Sequence, residues 1–468
     1  MSLPPLPVRV MNRGCAEGTI SVSMALVNPF NFGMALLVSL FLGTGRMAAR
    51  NYEIHPTMAE ADEEFEKLAN ALQPGDELVL HGGTYSRNGR RAVTAKGTRE
   101  RPIIIRAAEG RTPLFTRPAD NRHRQNNIEF VDCAHLVVRG LHFQGGSTGV
   151  RFIRGHHITF EDCEIRETGN NALTMNSGDC HAFVIRRNHI HHTGLSTLRP
   201  TEGEGMYIGC HDGACRTTDS LIEGNYIHHL RSTSDGGNDG IEIKSGSSGN
   251  IVRNNVIHDT NIGRHYPGIF VYGGGPGTNV VEGNVIWNAG EGIQVVSDAV
   301  VRNNIIFNCS ATGITAAPHA AVSRVRHATI LNNTIFNAPV GVRMRWAGAT
   351  NMVFANNAVY CPAGTALDVS VGSAFLRNNY VHGRVAGIAV DGSRVSEGGD
   401  MASAFADSAK QNFWPRSGSA LIEHADSTLA PVLDFNGTKR TAAFDVGAYE
   451  SDGQAQNPGW TIQSGFKR

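Results

Sequence analysis

An excess of charge of either sign is missing from this chain: Lys plus Arg and Asp plus Glu number 42 each over 468 residues, so its composition carries no electrostatic footprint for nucleic acid. Aromatic residues are only 7% and charged residues 18%, which fits an all-β solenoid with modest core residues better than a helical enzyme. The apolar run Phe32 to Leu42 (FGMALLVSLFL) is too short to span a bilayer comfortably. Cysteine is sparse, at 8, and Cys210, Cys215 and His211 lack the second ligand pair that a finger-like zinc site requires. Glycine is the exception, with 54 copies, and supplies turns in quantity.

One phrase recurs from Asn127 to about Val390: an Asn followed by a branched residue and an aromatic or His. The copies are RRNHIHH, EGNYIHH, RNNVIHD, EGNVIWN, RNNIIFN, LNNTIFN, ANNAVYC and RNNYVHG, around Asn188, Asn225, Asn255, Asn284, Asn304, Asn333, Asn357 and Asn379. Their irregular spacing suits a solenoid whose strands have fixed length and whose loops do not. Each coil also carries an alternating strand (GMYIG, GIEIK, GIFVY, GIQVV, GITAA, GVRMR). A period of two sends Met206, Ile241, Ile269, Ile293, Ile314 and Val342 inward, and Tyr207, Glu242, Phe270, Gln294, Thr315 and Arg343 outward. The expected fold is an all-β, right-handed parallel β-helix with a stacked Asn ladder at one bend.

The expected organisation is an export segment over residues 1–49, a β-helix with its N-terminal cap over 50–390, and a crossing loop, C-terminal cap and tail over 391–468. The first segment reads as a cleaved signal peptide, which implies a secreted, periplasmic or cell-surface protein. Thr57 to Leu72 has helical periodicity, with Thr57 and Glu60 as a capping box and Pro74-Gly75 as the stop. Phe413 to Ser451 reads as a cap over the open end of the core, where Asp434, Asn436 and Asp445 either bind calcium or make a satisfied turn. Cys210 and Cys215, bracketing CHDGAC, are the better disulfide candidate. Cys133 and Cys163, one strand spacing apart, either pair or stack.

Function is expected where unlike outward residues converge on neighbouring coils. Lys244 and Tyr272 share the next outward row with Arg345, and Glu204, Asp239 and Glu291 lie at the turn before it. This mixture fits β-elimination at a uronic acid, which requires a base, an acid for the leaving oxygen and a neutraliser for the substrate carboxylate. Lys244 serves as base, Tyr207 or Tyr272 donates or relays the proton, and Glu242 completes the catalytic group. Arg264, Arg343, Arg345 or a calcium ion held by Glu204, Asp239 and Glu242 serves as neutraliser. Gln294 and Glu291, with Arg343 and Arg345, line the substrate path. The partner is an acidic polysaccharide, with neither nucleic acid nor a stable membrane span expected.

The order of a capping helix, GDELVLHGGTY and RPIIIRAAEG resembles the opening of the chondroitinase B and alginate lyase family, and more broadly the pectin-lyase-like superfamily. That resemblance implies a Lys base and an Arg acid on adjacent coils, with calcium as neutraliser. IEIKSGSSGNIVRNN resembles the segment carrying the Lys, so Lys244 is carried over. The next coil reads IFVYGGG, placing Tyr272 where the family has Arg-His-Gly, and Arg264 in GRHYPG is the loop substitute.

Other chemistries compete on the same strip. Glu204 with Asp239, or Asp239 with Glu242, could serve a glycoside hydrolase. The Asn-Thr-Asp pattern of polygalacturonases and the Asp-Pro-His motif of uronate epimerases are both absent. A non-catalytic carbohydrate-binding β-helix is the third alternative. His192, His229 and Asp259 hold equivalent places in successive coils, as do His191, His228 and His258. A facial metal site is one reading of them. The continuation through Trp287, Phe307, Phe336 and Tyr360, and through Asn288, Asn308 and Asn337, is that of a stacking ladder.

Overall fold

A computed structural model describes residues 49–451, apart from 57–60, 323–325, 347, 373–374, 388–393, 396–400 and 442. Residues 1–48 of the export segment and the Thr57/Glu60 capping box lie outside the described residues. The chain winds into a right-handed parallel β-helix in which each coil contributes to three parallel ladders. The first ladder runs from Asn51–Ile54 to Phe375–Arg377. The second passes through His189–His191, Tyr226–His228, Val256–Thr260 and Val285–Ala289. The third passes through Met206–Ile208, Ile241–Ile243, Pro267–Val271, Glu291–Val295, Thr312–Ala316 and Val340–Trp346. The inward residues predicted from the alternation, Met206 through Val342, stack in register and are fully buried.

The Asn ladder forms at the bend between the first and second ladders. Asn284 Nδ2 donates to Asn304 Oδ1 at 3.0 Å and Asn304 Nδ2 to Asn333 Oδ1 at 2.9 Å, and the same bond links every step from Asn188 to Asn379. Each oxygen also accepts from the backbone N–H of the preceding Asn, as Asn284 does from Asn255 at 3.0 Å. The Asn-Asn doublets divide the work of the bend. Asn254, Asn303, Asn332, Asn356 and Asn378, each just before a ladder Asn, take left-handed backbone with φ of 52° to 59°, a conformation that Asn tolerates better than most residues. The recurring Gly of the Gly-Ile pair has a different cause. A Cβ on Gly240 would lie 2.7 Å from the Gly268 carbonyl oxygen, so the next coil leaves no room for a side chain.

The helix Ala61–Ala71 buries Phe65 against Phe115, with ring centroids 4.8 Å apart. Among the described residues no helix is long and apolar enough to cross a membrane. The C-terminal segment departs from expectation, because it lies along the flank of the later coils. Phe413 packs on Phe307 and Phe336 at 5.5 and 5.0 Å. The bend residues Asn303, Asn332, Asn356 and Asn378 donate to the carbonyls of Leu433, Asp445, Asp426 and His424. The physical reason is the outward aromatic row, which exposes apolar surface that this segment removes from water. Asp434 and Asp445 spend their carboxylates on backbone N–H groups of Asn436, Thr438, Glu450, Glu423 and Ser451, which is the satisfied turn.

Cys210 and Cys215 form a disulfide with Cα atoms 4.9 Å apart, which removes both sulfurs from the zinc reading. Cys133 and Cys163 are buried free thiols whose sulfurs face the carbonyls of Val93 and Glu161 at 3.2 Å, so they stack and do not pair. Burial pushes both thiols up to about 12.

Candidate active site

The third ladder sets Tyr207, Glu242, Phe270, Gln294, Thr315 and Arg343 side by side on its outer face, as the alternation predicts. Outward does not mean exposed here. Glu242 and Lys244 retain 3% and 4% exposure. A cleft of about 310 Å³ opens above them, walled by Glu202 and Gly236-Gly237 from the two long loops and by Tyr266. These loops connect the second ladder to the third, where the sequence spacing is widest.

Lys244 is the centre of this cleft. Its Nζ is ion-paired to Glu242 Oε1 and lies 3.5 Å from Tyr272 Oη. Tyr272 Oη also donates to Glu242 Oε1 at 3.1 Å. The ammonium sits 4.2 and 4.8 Å from the ring centroids of Tyr207 and Tyr272, so two aromatic faces and one carboxylate enclose it.

The surrounding acids are short of positive charge. Glu204 and Asp239 are buried beside Glu242, and all three carboxyls are held above their ordinary values, first by burial. For Glu204 and Asp239 the Glu242 charge adds to this effect. Asp239 Oδ1 accepts from Asn261 Nδ2 at 3.0 Å, whereas Glu204 Oε2 and Glu242 Oε2 are buried without a hydrogen-bond partner. Burial, then the charges of Glu242 and its acidic neighbours, also raises the phenols of Tyr207 and Tyr272, so both stay protonated through neutral pH.

The structure therefore gathers Lys244, Glu242, Tyr207, Tyr272, Glu204 and Asp239 into one cleft. It leaves Arg264 on the loop, where Nη2 donates to the Ser234 carbonyl at 2.9 Å and the guanidinium lies 5.4 Å from the Tyr266 ring centroid. Arg343 is placed further along the ladder, 3.8 Å from both Glu291 and Asp368, and Arg345 pairs with Asp368 at 3.0 Å. Gln294 lies one strand beyond Phe270 in the same row. Glu291 is itself buried and raised by that burial.

Two histidines complete the cleft. His319 comes from the turn after Thr312–Ala316 and reaches back to Tyr272 and Phe270, at ring-centroid distances of 4.7 and 5.4 Å. His211, in the disulfide loop, lies 5.8 Å from His319 and 5.7 Å from Tyr272. Burial, then His211 and Lys244, lowers His319 below its ordinary value. The Ala321 N–H donates to His319 Nδ1 at 3.2 Å, leaving Nε2 as the nitrogen that carries the proton of the neutral ring. Neither residue belongs to a repeating row, which is why periodicity does not find His319. The sole sequence signal for His211 was its position inside CHDGAC.

The family described as "Pel9A-like, right handed beta helix region" matches residues 50–351, and the chain belongs to that family. Among solved structures, the alginate lyase from Paenibacillus sp. str. FPU-7 is similar at 20% identity over 68% of this chain and 99% of its own, with a TM-score of 0.49. Pectate lyase Pel9A is similar at 15% identity over 87% of this chain and 97% of its own, with a TM-score of 0.48. XylC, solved in complex with xylose, is similar at 11% identity over 87% of this chain and 99% of its own, with a TM-score of 0.59. No curated protein matches the chain.

Proposed function

We propose that this protein is a secreted polysaccharide lyase that cleaves a uronic-acid-containing polysaccharide by β-elimination, with Lys244 as the base. The observation that carries the reading is Lys244 itself: a buried ammonium, caged by Tyr207, Tyr272 and Glu242, at the floor of an outward cleft. Membership of a family named for Pel9A, a pectate lyase, supports it.

The cage suits each proton movement. Transfer of one proton from Lys244 to Glu242, whose carboxyl burial already favours the protonated form, leaves a neutral amine facing the cleft. That amine removes the proton on the carbon beside the substrate carboxylate. Tyr272 or Tyr207, both kept protonated, donates to the departing glycosidic oxygen. Phe270, Tyr207 and Tyr272 line the cleft and place apolar carbon beside its polar groups.

The substrate carboxylate needs a neutraliser. Before that proton transfer, three buried carboxylates, two orphan oxygens and one ammonium match the charge of a calcium ion, for which Glu204, Asp239 and Glu242 are the candidate ligands. The oxygens of these three residues are not among the described groups that gather within 4.8 Å of one another, so as placed they match the ion in charge but do not close around it. When bound, the ion would neutralise the substrate carboxylate and ease loss of the neighbouring proton.

The test is incubation of protein beginning near Asn51 with alginate, pectate and glycosaminoglycans, with calcium or with chelator. Ultraviolet absorbance of an unsaturated uronate is expected with one of them, and chelation is expected to lower the rate. New reducing ends without absorbance would establish a hydrolase, and neither signal would leave a binding rod.

A further inference from the structure

The second ladder carries an imidazole cluster that the cleft does not use. Glu164 lies between His142 and His189 on neighbouring coils, with His191 diagonal to it. Its two oxygens have different surroundings. Glu164 Oε2 is held by His142 Nδ1 at 2.8 Å and by Arg166 Nε at 3.0 Å. Glu164 Oε1 instead faces His191 Nε2 at 3.2 Å and His189 Nδ1 at 3.7 Å.

These separations are close to the edge of a metal tetrahedron, which is about 3.3 Å when each metal–ligand bond is about 2.0 Å. Carboxylate and two imidazoles all lie within 4.8 Å of one another. The outer nitrogens are also occupied in a consistent direction. His189 Nε2 lies 2.8 Å from His228 Nε2, and His191 Nδ1 lies 2.7 Å from His192 Nδ1. Each ring can pass its proton outward to its neighbour, which frees the nitrogen facing Glu164. Partners of this kind orient metal ligands from behind. With side-chain exposures of 19%, 13% and 41% for Glu164, His191 and His189, the three are held in place yet reachable from solvent.

We propose that Glu164 Oε1, His189 Nδ1 and His191 Nε2 form a binding site for a divalent transition metal of the zinc class, with water completing the shell. Imidazole with a single carboxylate favours zinc, cobalt or nickel over calcium. Binding replaces the proton that His191 otherwise shares with Glu164 and leaves Arg166 and His142 on the second oxygen. This site takes no part in the reaction at Lys244.

The experiment uses the full chain without a polyhistidine tag, stripped with chelator and titrated with Co2+ in the visible and with Zn2+ against a chromophoric chelator. One equivalent is expected to bind, with the visible bands of a four-coordinate cobalt. His189→Ala and His191→Ala are each expected to weaken it at least 100-fold while the circular dichroism stays unchanged. His258→Ala, which removes a different candidate cluster, should leave the bands in place. The absence of a one-equivalent site in the wild type, or a site that survives loss of both His189 and His191, would overturn the proposal. Should the alanine variants misfold, His189→Gln and His191→Gln carry the same reading.

Discussion

Two rows run along this solenoid at equivalent intervals, and they behave in opposite ways. The Asn row repeats one residue from Asn188 to Asn379, and every member bonds to the next with the same geometry. The outward row of the third ladder changes at every coil, from Tyr207 to Glu242, Phe270, Gln294, Thr315 and Arg343. Where identical groups stack, each satisfies its neighbour and nothing is left over for a ligand. Where unlike groups stack, charge and hydrogen-bonding capacity remain unspent, as the orphan oxygens of Glu204 and Glu242 show. On a repeating scaffold, a site is a place where repetition stops.

The largest effect should follow from breaking the repeating row. Asn284 donates to Asn304 and to the Val252 carbonyl while accepting from Asn255, so Asn284→Ala strands buried groups on both sides. A loss of about 3 kcal/mol is expected, read by denaturant unfolding. Next comes the changing row. Tyr272→Phe removes the proposed proton donor and one bond to Glu242 while keeping the ring, and a fall of about 100-fold in turnover with unchanged circular dichroism is expected.

A smaller effect concerns pH. Glu204 and Asp239 are raised in the folded state, so the stability linked to their protons is complete below the unfolded carboxyl range and is lost as pH rises through the folded values. Glu204→Gln should therefore raise the melting temperature at pH 8 by on the order of 2 °C and change it little at pH 4, measured without added calcium. The smallest effect lies at the rim. Arg345 pairs with Asp368 at 44% side-chain exposure, and Arg345→Ala should shift stability by less than about 0.5 kcal/mol in the same unfolding assay.

The parts of the molecule legible from sequence are those governed by repetition. The Asn ladder, the inward aliphatic residues and the order of the outward row could each be read, because period and register determine them. Lys244, Glu242, Tyr207 and Tyr272 met in one cleft for the same reason. His319 was invisible because its turn follows no period and reaches back to Tyr272, a distance that only folding reveals. Arg264 was read as the loop substitute for the family's Arg, and its loop turns the guanidinium toward Ser234. The flanking position of the C-terminal segment did have a signal. An outward row of Trp287, Phe307, Phe336 and Tyr360 requires a cover, and Phe413 belongs to it. The Glu164 cluster escaped notice because its members come from two offset rows, which join only once register is known.

The most direct measurement compares wild type with Lys244→Ala on the polysaccharide that gives ultraviolet absorbance, with binding of the same polysaccharide measured in parallel. Turnover is expected to fall about 1,000-fold or more while affinity changes by only a few-fold, because Lys244 moves a proton in the transition state and contributes little to ground-state binding. Turnover retained within tenfold of wild type would rule Lys244 out as the base and place the reaction elsewhere.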